Sequence, residues 1–360
     1  MTTISMMSSK KYKNRRQGAA LLVVLFIVMV ITISSLGFIS RCDVELACGR
    51  NMVLRTQMDY LAESGLEHAR GLILNPQDVD VSAEYWMGDT AQRLVEGDDY
   101  YDVEVIRDSN DTNDHCNYII NCNSYRLRSG IKVGRSSLRA ELRLDPCIAF
   151  WTGGNTTISS NTNIYGDVYC NGNLTNNGYI DGDVFADNLS GDGSKTGQRY
   201  DTIQAVGVTS PGLDISDFTL NPVPDPNDPN GDVEMSVGGE IIGALVVKGN
   251  LTINGGSRVI VKALKNSPAL LVSGNIQIID ESSKLEIEGL AQVAGGISVA
   301  NGAEIKILGA LFMVGSSGIS NSGVINITTA PLIASIQTPG GDPVNWSPAG
   351  GAFFRNIERK

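Results

Sequence analysis

The chain has 360 residues, 28 of them basic and 39 acidic, for a net charge of −11. Five of the cations cluster at 10–16, so the remainder sets 23 basic against 39 acidic residues. That balance excludes recognition of nucleic acid or of an anionic membrane surface through bulk charge, and the length allows one or two globular units beside any stalk.

Lys10, Lys11, Lys13, Arg15 and Arg16 are followed by Gln17-Gly18, then by an unbroken apolar stretch over 19–33 that continues with small and apolar residues to 39. About 20 such residues cross a ~30 Å hydrocarbon core as a helix, and the cations hold the preceding segment in the cytoplasm. The rest of the chain is therefore exported. The helical pattern continues past the apolar run: Val44, Ala47, Leu54, Met58, Leu61, Gly65, Ala69 and Leu72 are spaced by threes, fours or sevens up to Asn75-Pro76. The spacing predicts one rod over 19–75, transmembrane over 19–39 and amphipathic over 40–75, roughly 84 Å long at ~1.5 Å per residue. A cleavable secretory signal has no such continuity.

The run Arg16-Gln17-Gly18-Ala19-Ala20-Leu21-Leu22-Val23-Val24-Leu25, with Leu61-Ala62-Glu63-Ser64-Gly65-Leu66-Glu67 further along, resembles the class III leader and N-terminal helix of type IV pilins and pseudopilins. The resemblance is closest to the X-type minor pilins and K-type minor pseudopilins. It implies a leader over 1–18, removed by a prepilin peptidase between Gly18 and Ala19. It also implies residence in the inner membrane with a cytoplasmic N-terminus, then assembly with other pilins through an inner-membrane platform into an extracytoplasmic or cell-surface filament. Val23, Glu63 and Gly65 are the filament-assembly positions. Most major pilins carry Glu at the fifth mature position, where it can pair with a neighbour's terminal ammonium in a low-dielectric bundle. Val23 cannot, a departure shared with K-type pseudopilins and associated there with the filament tip, so a tip or priming role is expected. A plain signal anchor bearing a stalk is the bland reading of the same residues. Gly65 on a surface helix costs about 1 kcal/mol relative to alanine, which hints at close packing.

Residues 76–147 read as a small antiparallel unit, with strands expected at 101–107, 118–121, 124–133 and 137–144, and with Gly130 and Gly134 breaking it into hairpins. Leu138, Leu142 and Leu144 share a face. Six cysteines in an exported chain permit disulfides. Cys116 and Cys122 can close a small loop and Cys147 with Cys170 can tie two parts together, but spacing alone leaves the pairing open, and Cys42 and Cys48 can remain free thiols. Asp108, Asn110, Asp111, Asn113 and Asp114 form an oxygen-rich loop that suits calcium less well than a solvated turn. No cofactor is expected, and zinc is disfavoured because only His68 and His115 are available.

From about Cys147 the composition shifts to Gly, Asn and short β-branched runs that repeat. The segment 164–169 returns as 180–185, 244–253 returns as 269–278, and the pairs Leu285/Ile287, Ile305/Ile307 and Ile325/Ile327 step by 20. Short inward aliphatic rows one coil apart are what a β-solenoid needs, whereas a β-sandwich with Gly-rich turns, the other candidate, does not require matched motifs. The expected fold is thus α+β: a long helix, a small antiparallel unit, and a parallel β-helix over 148–335. The repeat style also resembles bactofilin-like and surface β-helix domains.

A Pro-rich excursion over 221–232 interrupts the repeats, with Asp225, Asp228 and Asp232 as weak calcium candidates. The tail over 336–360, with Trp346, Phe353 and Phe354, is expected to cap the last coil. For catalysis the only candidates are Lys248, Lys262, Lys265, Glu286, Glu288 and Glu304, and a cross-coil ladder pairing Glu286 with Lys306 accounts for them. Enzymatic activity is therefore not expected. The sequence reading is a structural minor pilin or pseudopilin, of a pilus or of a type II secretion filament, displaying a solenoid for a surface glycan or protein. A signal-anchored adhesin is the alternative, and a polysaccharide-acting enzyme a more distant one.

Overall fold

The computed structural model describes residues 14–74, 85–108, 116–145, 147–200, 208–219, 230–264, 267–315, 318–330, 336–337, 343–344 and 351–359. One helix, α1 (Asn14–Leu74), begins five residues ahead of the predicted rod and stops one short of it, just before Asn75-Pro76. It lies on an antiparallel sheet of β1 (Gly88–Gln92), β2 (Asp99–Arg107), β3 (Asn117–Arg128) and β4 (Ile131–Asp145). The two strands expected at 118–121 and 124–133 are one, β3, and the hairpin turns at Ser129-Gly130, where both residues have positive φ. Gly134 does not end a strand: it sits inside β4 at φ +67, next to a register shift opposite Tyr125/Arg126.

The tail corrects a second expectation. Gly351–Arg359 does not close the solenoid; it returns to the antiparallel sheet and pairs with β4 from Gly351↔Asp145 to Arg359↔Leu138. The sheet order is therefore β1, β2, β3, β4 and the C-terminal strand, and the chain's last strand covers what would otherwise be an open edge of β4.

The parallel β-helix is present, and its coils have three short faces. Leu285, Ile305 and Ile325 are register partners, as are Ile164 and Ile180 and likewise Leu245 and Leu270, so the 20-, 16- and 25-residue steps are coil lengths. These side chains point inward and are essentially fully buried. Gly289 and Gly309 are partners at φ +129 and +143, which lets each ten-residue strand, Lys284–Val293 and Glu304–Met313, bend from one face to the next. At another corner the side-chain oxygen of one coil accepts from the backbone of the next: Asp232 from Asn250 N at 2.6 Å, Asn250 from Asn275 N at 2.8 Å and Asn275 from Gly296 N at 2.7 Å.

The coil order differs from the chain order. The last coil of the second repeat block pairs with the first coil of the first block, through Leu311↔Phe150, Phe312↔Trp151, Ile325↔Thr162 and Ile327↔Ile164. Stacked along the axis, the second block (from Val233 to Thr328) comes first and the first block (from Ile148 to Tyr200) follows, so the solenoid is circularly permuted with a seam in its middle. In sequence, the segment that joins the two blocks includes a described strap. Residues 208–219 form part of that strap: Val208, Leu213 and Phe218, five residues apart, are buried in one cluster with Trp151, Tyr169, Phe312, Leu271 and Val246. Trp151 Nε1 donates to Val208 O at 3.4 Å, and Gln292 holds Leu213 from both sides, accepting from its N at 3.3 Å and donating to its O at 2.7 Å. Trp151 and Gln292 are two coils apart through Phe312, so five strap residues span two coils.

The cysteines also pair differently from either anticipated loop. Cys116 is bonded to Cys147, joining the start of β3 to the entry of the solenoid, while Cys122 and Cys170 are buried free thiols and Cys42 and Cys48 are exposed on the rod. Spacing could not show this, because Cys116 and Cys147 meet only once β3 and β4 have paired in register.

Candidate functional site: the rod and its grip

Residues 20–53 of α1 are exposed throughout, including Leu21, Phe26 and Phe38 at 66–70%. They project roughly 50 Å beyond the sheet at ~1.5 Å per residue. Over 20–39 the helix is apolar on every side, and among the described residues it is the one helix long and apolar enough to cross a membrane. A helix apolar all round requires lipid or other helices as its surroundings. Thr32, within this stretch, keeps its hydroxyl satisfied by donating to Val28 O at 2.8 Å, as hydroxyls in apolar surroundings must. Beyond it the surface is mixed, with the Arg41–Glu45 pair at 3.0 Å among exposed apolar residues such as Val44 and Leu46.

The sheet takes hold at Leu54. A Cβ on Gly134 would lie 2.7 Å from Leu54 Cγ, so the bare backbone at this bend of β4 is what lets the rod approach. Further along, Met58, Ala62, Leu66, Ala69 and Ile73 are fully buried at intervals of three and four, and from Ala62 on they pack with Tyr101, Val103, Val105, Tyr118, Ile120, Cys122, Leu138, Ala140 and Leu142. Polar contacts fix the rod's rotation about this apolar seam. Ser124 Oγ donates to Met58 O at 2.6 Å, Ser136 Oγ to Asp59 Oδ1 at 2.6 Å, and the Tyr101 hydroxyl meets His68 Nδ1 at 2.7 Å. Arg359, on the returning C-terminal strand, pairs with Asp59 Oδ2 at 3.0 Å. Arg126 lies between Asp99, at 2.5 and 2.7 Å, and Gln57 at 3.2 Å.

The expected processing residues Gly18 and Ala19 lie in the first turns of α1; of the assembly positions, Val23 is 57% exposed in the apolar stretch and Glu63 is exposed on the far side of the gripped segment. Gly65 is different: it is buried, and a Cβ there would overlap Cys122 Sγ and lie 2.8 Å from Tyr101 Cδ2. Its small size serves the sheet, not a neighbouring rod. Sequence reasoning missed Asp59, Ser124, Ser136, Tyr101 and Arg359 as members of the grip. The available signal was the i, i+3/i+4 run of Met58, Ala62 and Leu66, which marks the gripped face without naming what grips it.

Burial pushes the thiols of Cys122 and Cys170 up to about 12, with the charges of Asp102 and Asp187 adding to it, so both stay protonated and unreactive. On the solenoid, Glu286 and Lys306 are register partners as anticipated, but the Glu286 carboxylate turns to the preceding coil and takes Arg258 bidentately at 2.7 and 2.8 Å. Lys262 pairs with Glu240 at 2.9 Å and with Glu288 at 3.8 Å, and Lys284 pairs with Glu304 at 2.8 Å. The guanidinium hydrogen bonds hold the Glu286 carboxyl below its ordinary value of 4.5. Its contribution to stability is therefore complete above that value and fades as the pH falls through the lower, folded one. Glu286→Gln should cost no more than about 1 kcal/mol at pH 7, and the difference from the native chain should vanish in acid melts. A difference that persists at low pH would show that the effect is not electrostatic.

Lys248 is exposed at the corner beside Gly231. Lys265, His115, Asn110, Asp111, Asn113, Asp114, Asp225 and Asp228 fall outside the described residues, as do Trp346 and most of the Pro-rich excursion. Among the described residues, no group of three His, Cys, Asp or Glu side chains could hold a metal ion.

These features define a class: a protein with a long apolar helical rod, gripped at one end by an antiparallel sheet, that carries a parallel β-solenoid. No protein-family model and no curated protein matches the chain. Among solved structures it shows a likeness to the competence-associated pilin ComZ from Thermus thermophilus, with 11% identity, a TM-score of 0.24, and coverage of 85% of this chain and 97% of that one.

Proposed function

We propose that this protein is a structural minor pilin or pseudopilin whose rod leaves the inner membrane to join a bundle of similar rods, with the solenoid displayed outward. The observation that carries this reading is the rod itself: residues 20–53 are exposed along their whole length, while Leu54 onward is locked to the sheet by shape and hydrogen bonds. A membrane accounts for 20–39, and a bundle accounts both for that stretch and for the apolar residues beyond it, such as Val44, Leu46, Met52 and Val53. Val23 in place of a carboxylate favours a position with no subunit above it, at the tip or in priming. The sheet and solenoid face outward without catalysis or a cofactor, a reading supported by the mutual pairing of Arg258, Lys262 and Lys284 with Glu240, Glu286, Glu288 and Glu304. Other pilins, a prepilin peptidase and an inner-membrane platform are its partners, and a surface glycan or protein is the ligand of the solenoid.

N-terminal sequencing of the native polypeptide tests this. The mature chain should begin at Ala19, and it should retain all 18 leader residues when the peptidase is absent or Gly18 is replaced by a bulky residue. A chain that begins at Met1 in peptidase-positive cells would leave a plain signal anchor.

A further inference from the structure

The coil that attaches the solenoid to the rest of the molecule is an internal one. In a solenoid wound in a single pass, the coil nearest the attachment is an end coil with one edge open, and load applied there peels it away a few hydrogen bonds at a time. Here the strands Ile148–Thr152 and Thr162–Tyr165 are flanked on both sides: by 311–313 and 325–328 of the second block, and by 167–170 and 179–181 of the first. Thr329, at the end of the second block and ahead of the C-terminal strand in sequence, lies at the same seam.

Cys147 and Thr329 are both tied in at this seam. Cys147 is bonded to Cys116, and its carbonyl accepts from Asp167 N at 2.7 Å. Thr329 donates through Oγ1 to Ile148 O at 2.9 Å and through N to Tyr165 O at 2.8 Å, and its own carbonyl accepts from Arg107 Nη2 at 3.4 Å. The disulfide closes a loop of sequence separation 31 that contains β3 and β4, so tension arriving at Cys147 passes directly to the start of β3 and cannot draw the hairpin out.

We propose that this seam is a tension joint: force between the rod and whatever the solenoid holds enters an internal coil through a covalent staple, and two ladders must fail together before the units part. The proposal rests on the rod being anchored in a filament or membrane, but its test does not, so the two can fail separately. The full chain in detergent, with Cys48→Ser, would be held by thioether-linked handles at Cys42 on the rod and at Val237→Cys, a position 80% exposed on the outermost coil. The first extension should come from the outermost coil, with 148–165 opening last, and reduction should add about 100 Å of length at ~3.4 Å per residue from the unlocked loop. A first event that separates the antiparallel sheet from the solenoid, or no added length on reduction, would overturn the proposal. Hydrogen exchange on the unmodified chain gives an independent reading. Amides of Ile148–Thr152 and Thr162–Tyr165 should exchange more slowly than those of the outer strands Val233–Met235 and Arg199–Tyr200, and equal rates would also sink the idea.

Discussion

Replacing Gly65 by valine should free the rod from the sheet and lower the stability of the junction by about 3 kcal/mol. Two effects of opposite sign meet at this position. Inside a helix a larger residue is favoured over glycine by at most ~1 kcal/mol, which on its own would make the substitution stabilising. Against that, the first added carbon already overlaps Cys122 Sγ and approaches Tyr101 Cδ2 to 2.8 Å, and the two methyl groups of valine have nowhere to go. Tyr101 cannot yield easily: it is 1% exposed and its hydroxyl is tied to His68. Overlap therefore wins. Denaturant unfolding of the full chain in detergent, followed by the near-ultraviolet signal of Tyr101 and Trp86, should show the shift. The milder Gly65→Ala should be partly rescued by Cys122→Ala, which removes the atom in the way. An unchanged midpoint for Gly65→Val, or no rescue of the milder variant, would mean that the rod and sheet are not packed as described.

What the sequence made legible, and what it hid, follows from the range of each interaction. The rod was legible because its apolar run and its i, i+3/i+4 face are local patterns, and the coil lengths because each ladder repeats within one block. The seam was not. Ile327 and Ile164 are partners across 163 residues, and an isoleucine at the end of one block meets an isoleucine in the first coil of another with no periodicity to announce it. The strap was hidden for a related reason: Val208, Leu213 and Phe218 follow a spacing of five, which matches neither helix nor strand. The tail's aromatic residues suggested a solenoid cap because that is where an open edge was expected. The competing edge, that of β4, became visible only once the antiparallel sheet was assembled, and Arg359 reaching Asp59 shows that the same strand also helps to grip the rod.

Phe312 is where the seam and the strap meet, and Phe312→Ala should cost about 3–5 kcal/mol, whereas Ile305→Val at equal burial in the inward core row should cost only about 1 kcal/mol. The ring is fully buried, 6.0 Å from Trp151 on the first coil of the other block, and belongs to the cluster that receives Val208, Leu213 and Phe218. Its removal leaves a cavity that the backbone cannot close, because Gln292 on one side and Trp151 on the other are fixed by parallel ladders. The strap is held by side-chain contacts and not by a ladder: hydrogen bonds from Gln292 and Trp151, and the apolar side chains of Val208, Leu213, Ile215 and Phe218. Loss of the ring should therefore appear first as protease cleavage within 208–219 under conditions where the native chain is resistant, and only at higher denaturant as unfolding of the coils. If Ile305→Val exposed the strap equally, the strap would be reporting general loosening of the solenoid. Cleavage confined to Phe312→Ala would place the tie between the two blocks at this one aromatic position.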